Sequence, residues 1–170
     1  SDAEKNLLEA FSVFPAAPLS ADLCKEWLHE DAGVDEDNCA RLLNRLAEQT
    51  WLEKQCGSSN NDVSFLMHQL VRTAVQEQVV IQYIAHQRLI DRCTISLYKS
   101  TENYELEKSS TLIRFAIPLQ ATLSQVSEPF ALLASKIAIF FFRIANFGEA
   151  LLWFLKTLSI YETVFGVYHP

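Results

Sequence analysis

Apolar residues return at spacings of three and four in the first segment. In "DAEKNLLEAFSVF", Leu7, Leu8, Phe11 and Phe14 share one side, which predicts an amphipathic helix ending before Pro15. "AAPLS" reads as a connector, and Ser20 is suited to N-cap a second helix running to about His29. The acidic turn "EDAGVDEDN", with Gly33 inside it, leads to Asp35, which opens a third helix with Cys39, Leu42, Leu43 and Leu46 along one face. The period then changes from helical to twofold. "WLEKQ" alternates like a strand, "CGSSNND" is a turn, and "VSFLM" places Val63, Phe65 and Met67 on one side. These make a hairpin, after which a helix starts near Gln69.

The remainder has helical spacing throughout. "HQRLIDRCTISLYKS" continues it, "STENYELEKSS" is a polar loop or helix end, and Pro118 is expected to kink or divide "TLIRFAIPLQATLSQV". "SEPFALLASKIAIFFFRIANF" and "GEALLWFLKTLSIYETVFG" form a helical hairpin turning at "ANFGEA". The expected fold class is therefore mainly α. Three helices, a β-hairpin and a fourth helix describe a winged-helix domain over residues 1–80, with the polar hairpin tip as its wing. Residues 81–130 are a helical linker or an atypical first repeat, and residues 131–170 a helical hairpin.

Charge changes the picture more than composition does. Residues 1–80 carry 14 acidic and 6 basic side chains, whereas residues 81–170 carry 7 and 8. An acidic first half is a poor footprint for nucleic acid, whose phosphates dominate affinity. The third helix, which would be the reading helix of a DNA-binding winged helix, sets Arg41 and Arg45 against Asp35, Glu36, Asp37 and Glu48, and the wing has no Lys or Arg. Cys24, Cys39, Cys56 and Cys93 form no CxxC pair and read as free thiols of a cytoplasmic protein. The start, "SDAEKNLLEA", has no signal-peptide character. The most apolar run, "IAIFFF" between Lys136 and Arg143, falls far short of the ~20 residues that span a bilayer, so a buried helix face is expected there.

Two resemblances go further. The hairpin at 131–164 resembles a tetratricopeptide repeat (TPR). Ile137 and Ala138 stand at the Leu-Gly positions, Phe141 at the large aromatic, and Ala150, Phe154 and Thr157 at the small, aromatic and small positions of the second helix, while Ala134 stands where many repeats carry Trp. The ending "SIYETVFGVYHP" looks like the long repeats of the kinesin light chain type, with Gly166, His169 and Pro170 matching Gly-x-x-His-Pro. A single repeat leaves a stacking face open, so the hairpin is expected to begin a longer array. Trp153 and Phe154 are adjacent, so one of them points away from the hairpin, and Trp153 is the candidate for contact with a neighbouring repeat or a protein ligand.

"LLEAFSVFP", "LLNRLAEQTWLEK" and "FLMHQLVRTAVQEQV" together resemble the winged-helix part of NB-ARC proteins, signal-transducing ATPases of the STAND class. "MHQLV" matches the family's Met-His-Asp motif at Met67 and His68, with Gln69 in place of the Asp, and Gln caps a helix poorly. The resemblance implies that His68 contacts the β-phosphate of ADP held by an upstream nucleotide-binding module, favouring a closed state, while the helical array binds a protein ligand. The physical basis is an imidazole N–H beside the open backbone donors of a helix start, which suits an anion.

The segment has no GxxxxGK[ST], so ADP or ATP would belong to the full-length protein, and this stretch is expected to carry no cofactor and no enzymatic activity of its own. It contains no GxSxG or HExxH. The acidic run "HEDAGVDED" lacks the spacing of an EF-hand, and His29, His86 and His169 are scattered, so neither calcium nor another metal is expected. Two alternatives remain, a winged-helix DNA-binding regulator and a TPR scaffold without an ATPase.

Overall fold

The computed structural model describes the chain except residues 15, 31, 58–62, 79–82, 123–125 and 167–170; for 83–86, 88 and 122 the helical backbone is described without the side chain. The chain is mainly helical and divides into two compact units, Ser1–Leu89 and Ile90–Pro170. The first unit runs α1 (Asp2–Ser12), β1 (Leu19–Ser20), α2 (Ala21–Leu28), α3 (Glu36–Glu48), β2 (Glu53–Cys56), β3 (Val63–Leu66) and α4 (Gln69–Gln78). Then come α5 (Tyr83–Glu102), within which the division falls, α6 (Leu106–Thr122), α7 (Glu128–Arg143) and α8 (Phe147–Phe165).

The first unit begins its helices where side chains can take the open N–H groups. Ser20 accepts from Leu23 N at 3.3 Å, and Asp35 Oδ1 from Asn38 N at 2.7 Å. Ser20 has a second duty, because it is also half of a strand. The sequence reading expected a hairpin alone, but the sheet has three antiparallel strands in the order β1-β3-β2, with Leu19 opposite Phe65 and Ser20 opposite Ser64. Two residues carry no alternation to read; pairing with β3 makes them a strand. Beneath the sheet, Phe14 stacks on Trp27 at 5.9 Å, and Leu7, Phe11, Leu28, Leu43, Leu46, Phe65 and Met67 complete a core with almost no solvent exposure. The expected wing tip falls largely on 58–62, outside the described residues.

In the second unit, α5 and α7 end the same way. After α5, Asn103 N donates to Lys99 O, Tyr104 N to Thr101 O and Glu105 N to Ser100 O; after α7, Ile144 N donates to Phe140 O, Ala145 N to Phe142 O and Asn146 N to Phe141 O. Each turn places one non-glycine residue at positive φ, Tyr104 at 59° and Ala145 at 60°. These bonds satisfy carbonyls that a helix end leaves open. The turn residues lie 41 apart, and so do the buried small residues that follow, Ser109 and Ala150, then Ala116 and Thr157. Across the first turn Ser109 Oγ donates to Ser100 Oγ at 2.8 Å. Arg143, the last residue of α7, reaches the end of α5: Nη1 donates to Thr101 O and Nη2 to Glu102 Oε1, both at 2.6 Å. A cation is well placed there, against the negative end of the helix.

Two further expectations are corrected. Pro118 does not divide its segment: α6 is one helix from Leu106 to Thr122. The proline removes a single backbone donor, while Phe115, Ala116, Leu119 and Gln120 are buried on either side of it and hold the helix together. Phe154, assigned by the TPR pattern to the space between α7 and α8, is 41% exposed; the small residues Ala134, Ala138, Ala150 and Thr157 line the buried side instead.

Ala145 tests the turn. An L-residue in the left-handed region costs about 1–2 kcal/mol, part of which glycine relieves after its own entropic penalty. Ala145→Gly should stabilise by about 0.5–1 kcal/mol and raise the thermal midpoint by about 1–4 °C, read by calorimetry. A lower midpoint would show that the Ala145 methyl contributes more than its backbone costs.

Candidate functional site

His68 occupies the joint between β3 and α4. The residue before it, Met67, is fully buried, whereas His68 is exposed. The His68 carbonyl accepts the first bond of α4, from Arg72 N at 3.0 Å, and its Nδ1 accepts from Leu70 N at 3.3 Å. His68 is therefore the N-cap of α4, a role more often filled by Ser, Thr, Asn or Asp. Accepting at Nδ1 places the proton of the neutral ring on Nε2. The imidazole thus presents an N–H donor to solvent, beside the open backbone donors of a helix start.

Gln69 departs from the Met-His-Asp motif, but capping does not fall to it. Its Oε1 accepts from Arg72 Nη1 at 3.2 Å, while Arg72 Nη2 donates to Met67 O at 3.4 Å. Arg72 is 5% exposed, and burial lowers its pKa from the ordinary guanidinium value. It braces the joint from beneath by tying Met67 to Gln69 across the residue that caps the helix. The sequence reading missed Arg72; its signal was an arginine four residues after the histidine, one helical turn along. Leu70, in the first turn of α4, is 75% exposed, so this joint presents an imidazole N–H beside an apolar side chain.

The other sequence-predicted residue lies in the second unit. Trp153 is half-buried, with Lys156 Nζ 4.7 Å above its ring. Its neighbour Phe154 is the more exposed of the two. Gly166 has φ +87° and closes α8, its N–H donating to Glu162 O at 2.9 Å; His169 and Pro170 lie outside the described residues.

Groups suited to nucleic acid or metal are poorly placed. On α3, Arg45 Nε lies 3.0 Å from Glu4 Oε1, and Arg41 Nη1 donates to Asn38 Oδ1 at 3.4 Å. Among the described residues, no group of three or more His, Cys, Asp or Glu side chains could hold a metal ion, and no helix is long and apolar enough to cross a membrane. Burial pushes the Cys39 thiol up to about 11 and Cys93 to about 12, and raises Cys24 well above the usual thiol range. Cys56, on β2, is exposed.

No family model, curated protein or solved structure matches the chain.

Two measurements follow from this geometry. His68→Ala should cost about 1 kcal/mol in urea denaturation through loss of the cap, and His68→Asp should restore stability; equal losses in both would remove His68 from that role. Alkylation of the native protein near pH 8 should label Cys56 and spare Cys24, Cys39 and Cys93 until the chain unfolds. Thiols with raised folded pKa values stabilise fully below their unfolded pKa near 8.5. That contribution is lost as pH rises through the folded values, so their share of stability should fall from about pH 9 upward.

Proposed function

We propose that this chain is a regulatory and interaction segment of a STAND-type signal-transduction ATPase. The first unit would act as a winged helix controlling an ADP-bound closed state, and the helical hairpins would form a TPR-like array that binds a protein ligand. The observation that carries the reading is the state of His68. Its Nδ1 is engaged within α4, and its Nε2 faces outward at a helix start, where an anion such as a phosphate is favoured. The order α1-β1-α2-α3-β2-β3-α4, with sheet order β1-β3-β2, supports the winged-helix assignment. The two equivalent turns 41 residues apart support reading α5–α6 as a first, atypical repeat ahead of α7–α8.

In this mechanism the nucleotide is held by a P-loop module elsewhere in the full-length polypeptide. His68 contributes one charge-assisted or polar hydrogen bond that ADP makes only in the closed arrangement. A protein ligand on the array activates by favouring the open state; without differential affinity it shifts nothing. A DNA-binding reading is disfavoured by the acidic first unit and by the engagement of Arg45 with Glu4.

The test is nucleotide retention by the full-length protein. Denaturing the purified wild type should release ADP at about one per chain, His68→Ala should release at least several-fold less, and His68→Asp, which keeps the cap, should also release less. Absence of nucleotide in the wild type would overturn the reading. Equal retention in all three proteins would remove His68 from nucleotide contact.

A further inference from the structure

The first unit carries a cleft at the end of α4 opposite His68. It lies between α1, the last turn of α3 and the last turn of α4, and encloses about 390 Å³. Of the residues that line it, Leu46 is buried, Leu8 and Val75 are half-buried, and Trp51 is 43% exposed. The way α3 ends puts Trp51 there. Trp51 N donates to Leu46 O at 3.0 Å and Thr50 N to Ala47 O at 3.1 Å, with Thr50 in the left-handed region at φ 65°. Such an ending commonly brings the side chain after the left-handed residue against the last turn, and Trp51 and Leu46 share the cleft. Side chains tie the three helices together around it. Arg45 of α3 pairs with Glu4 of α1, and Gln76 Nε2 of α4 donates to Ser12 O at 2.8 Å. The cleft is therefore formed before any ligand arrives, as ligand pockets usually are.

Size and surroundings favour a small molecule over a protein. Pockets of roughly 300–1,000 Å³ take small molecules, whereas a stable protein interface covers about 800 Å² on each partner. Among the described residues of the first unit, Trp51 and Leu70 are the exposed large apolar side chains, and Leu70 stands in the first turn of α4, at its other end. The apolar lining thus has no continuation among those residues. Charge narrows the class further. Both carboxylates of the lining already face cations. Arg45 Nε lies 3.0 Å from Glu4 Oε1, an ion pair rather than an aligned hydrogen bond, and Glu4 Oε2 accepts from the Ser1 nitrogen. Glu9 has Lys5 Nζ at 3.7 Å. A charged ligand would give up hydration and meet no unpaired opposite charge. What the cleft offers instead is neutral: the Trp51 ring, and the exposed carboxamides of Gln49 and Gln78, each able to donate and accept.

We propose that this cleft binds a small neutral aromatic molecule, with its ring among Leu8, Leu46, Trp51 and Val75 and its polar group on the carboxamides of Gln49 and Gln78. A ring suits the site because offset or edge contact with Trp51 adds to the burial of apolar area. The site is independent of the nucleotide and array readings.

The test uses three probes of one shape, benzamide, benzoate and benzamidinium, which are neutral, anionic and cationic near neutral pH. Each is titrated into the nitrogen-15-labelled 170-residue chain, whose three tryptophans report through their indole N–H resonances, with Trp51 assigned from Trp51→Phe. Benzamide should shift the Trp51 resonance with a Kd of about 1 mM, ordinary for so small a ligand, and leave those of Trp27 and Trp153 in place. The two charged probes should bind at least ~10-fold more weakly. Val75→Phe, which fills the cleft, should weaken benzamide binding at least ~10-fold. Should that change disturb folding, Lys5→Glu at an exposed position carries the test: it strips Glu9 of its cation and should raise benzamidinium affinity at least ~3-fold over wild type. A Trp51 resonance unmoved at about 20 mM benzamide overturns the proposal. So does equal affinity for the three probes, or unchanged benzamide binding by folded Val75→Phe.

Discussion

α7 has almost no side to spare for water, and the second unit is arranged around that constraint. Phe130, Ala131, Leu133, Ala134, Ile137, Ala138 and Phe140 are all buried, more than one helix can cover. α8 takes one side and α6 packs on another. The alanines allow close approach, since a small side chain lets the backbones come together and the large ones fill what remains. α7 also supplies Arg143, which engages the Thr101 carbonyl and the Glu102 carboxylate at the end of α5, so a largely buried helix fixes a polar end of another. Turns of three residues then hold each hairpin in register, and both reach that geometry by placing a residue with a side chain in the left-handed region.

The first unit solves a different problem. Its sheet is too small to stand alone, and β1 is only two residues long. Stability comes from what surrounds it, with the stacked Phe14 and Trp27, α3 and Met67 forming one core. The strand–helix joint belongs to that core through the Met67 side chain and the buried Arg72, while His68 between them is left facing outward. A fixed frame with one exposed polar group is how folds present recognition residues, because a side chain whose neighbours are locked loses little further freedom when it binds.

Much of the fold was legible in the sequence, because its signals are local. Ser20 and Asp35 stand before apolar periodicity and cap the helices expected of them. Val63, Phe65 and Met67 alternate along and just beyond the central strand β3, with Phe65 and Met67 buried. What could not be read depends on partners remote in sequence. Leu19 is a strand residue because Phe65 lies opposite it, and Pro118 sits inside a helix because buried residues on both flanks outweigh one lost bond. Phe154 stood at an aromatic position of the repeat pattern, yet spacing alone does not say which of two apolar sides of a helix has a neighbour. At the candidate site, the position of His68 at the joint was legible. Its capping role and the brace from Arg72 were not, because both are hydrogen bonds set by where α4 begins.

The geometry of the joint is set by where α4 begins. Gln69 is the first residue of α4, one place past the capping position. With Gln69 the cap falls to His68, which commits Nδ1 inward and the N–H outward. This start of α4 sets the hydrogen bond at Nδ1. It also turns the Gln69 side chain toward Arg72, so that the joint is held by hydrogen bonds to a buried guanidinium. The joint as built thus holds His68 by its Nδ1 and leaves the rest of the ring exposed.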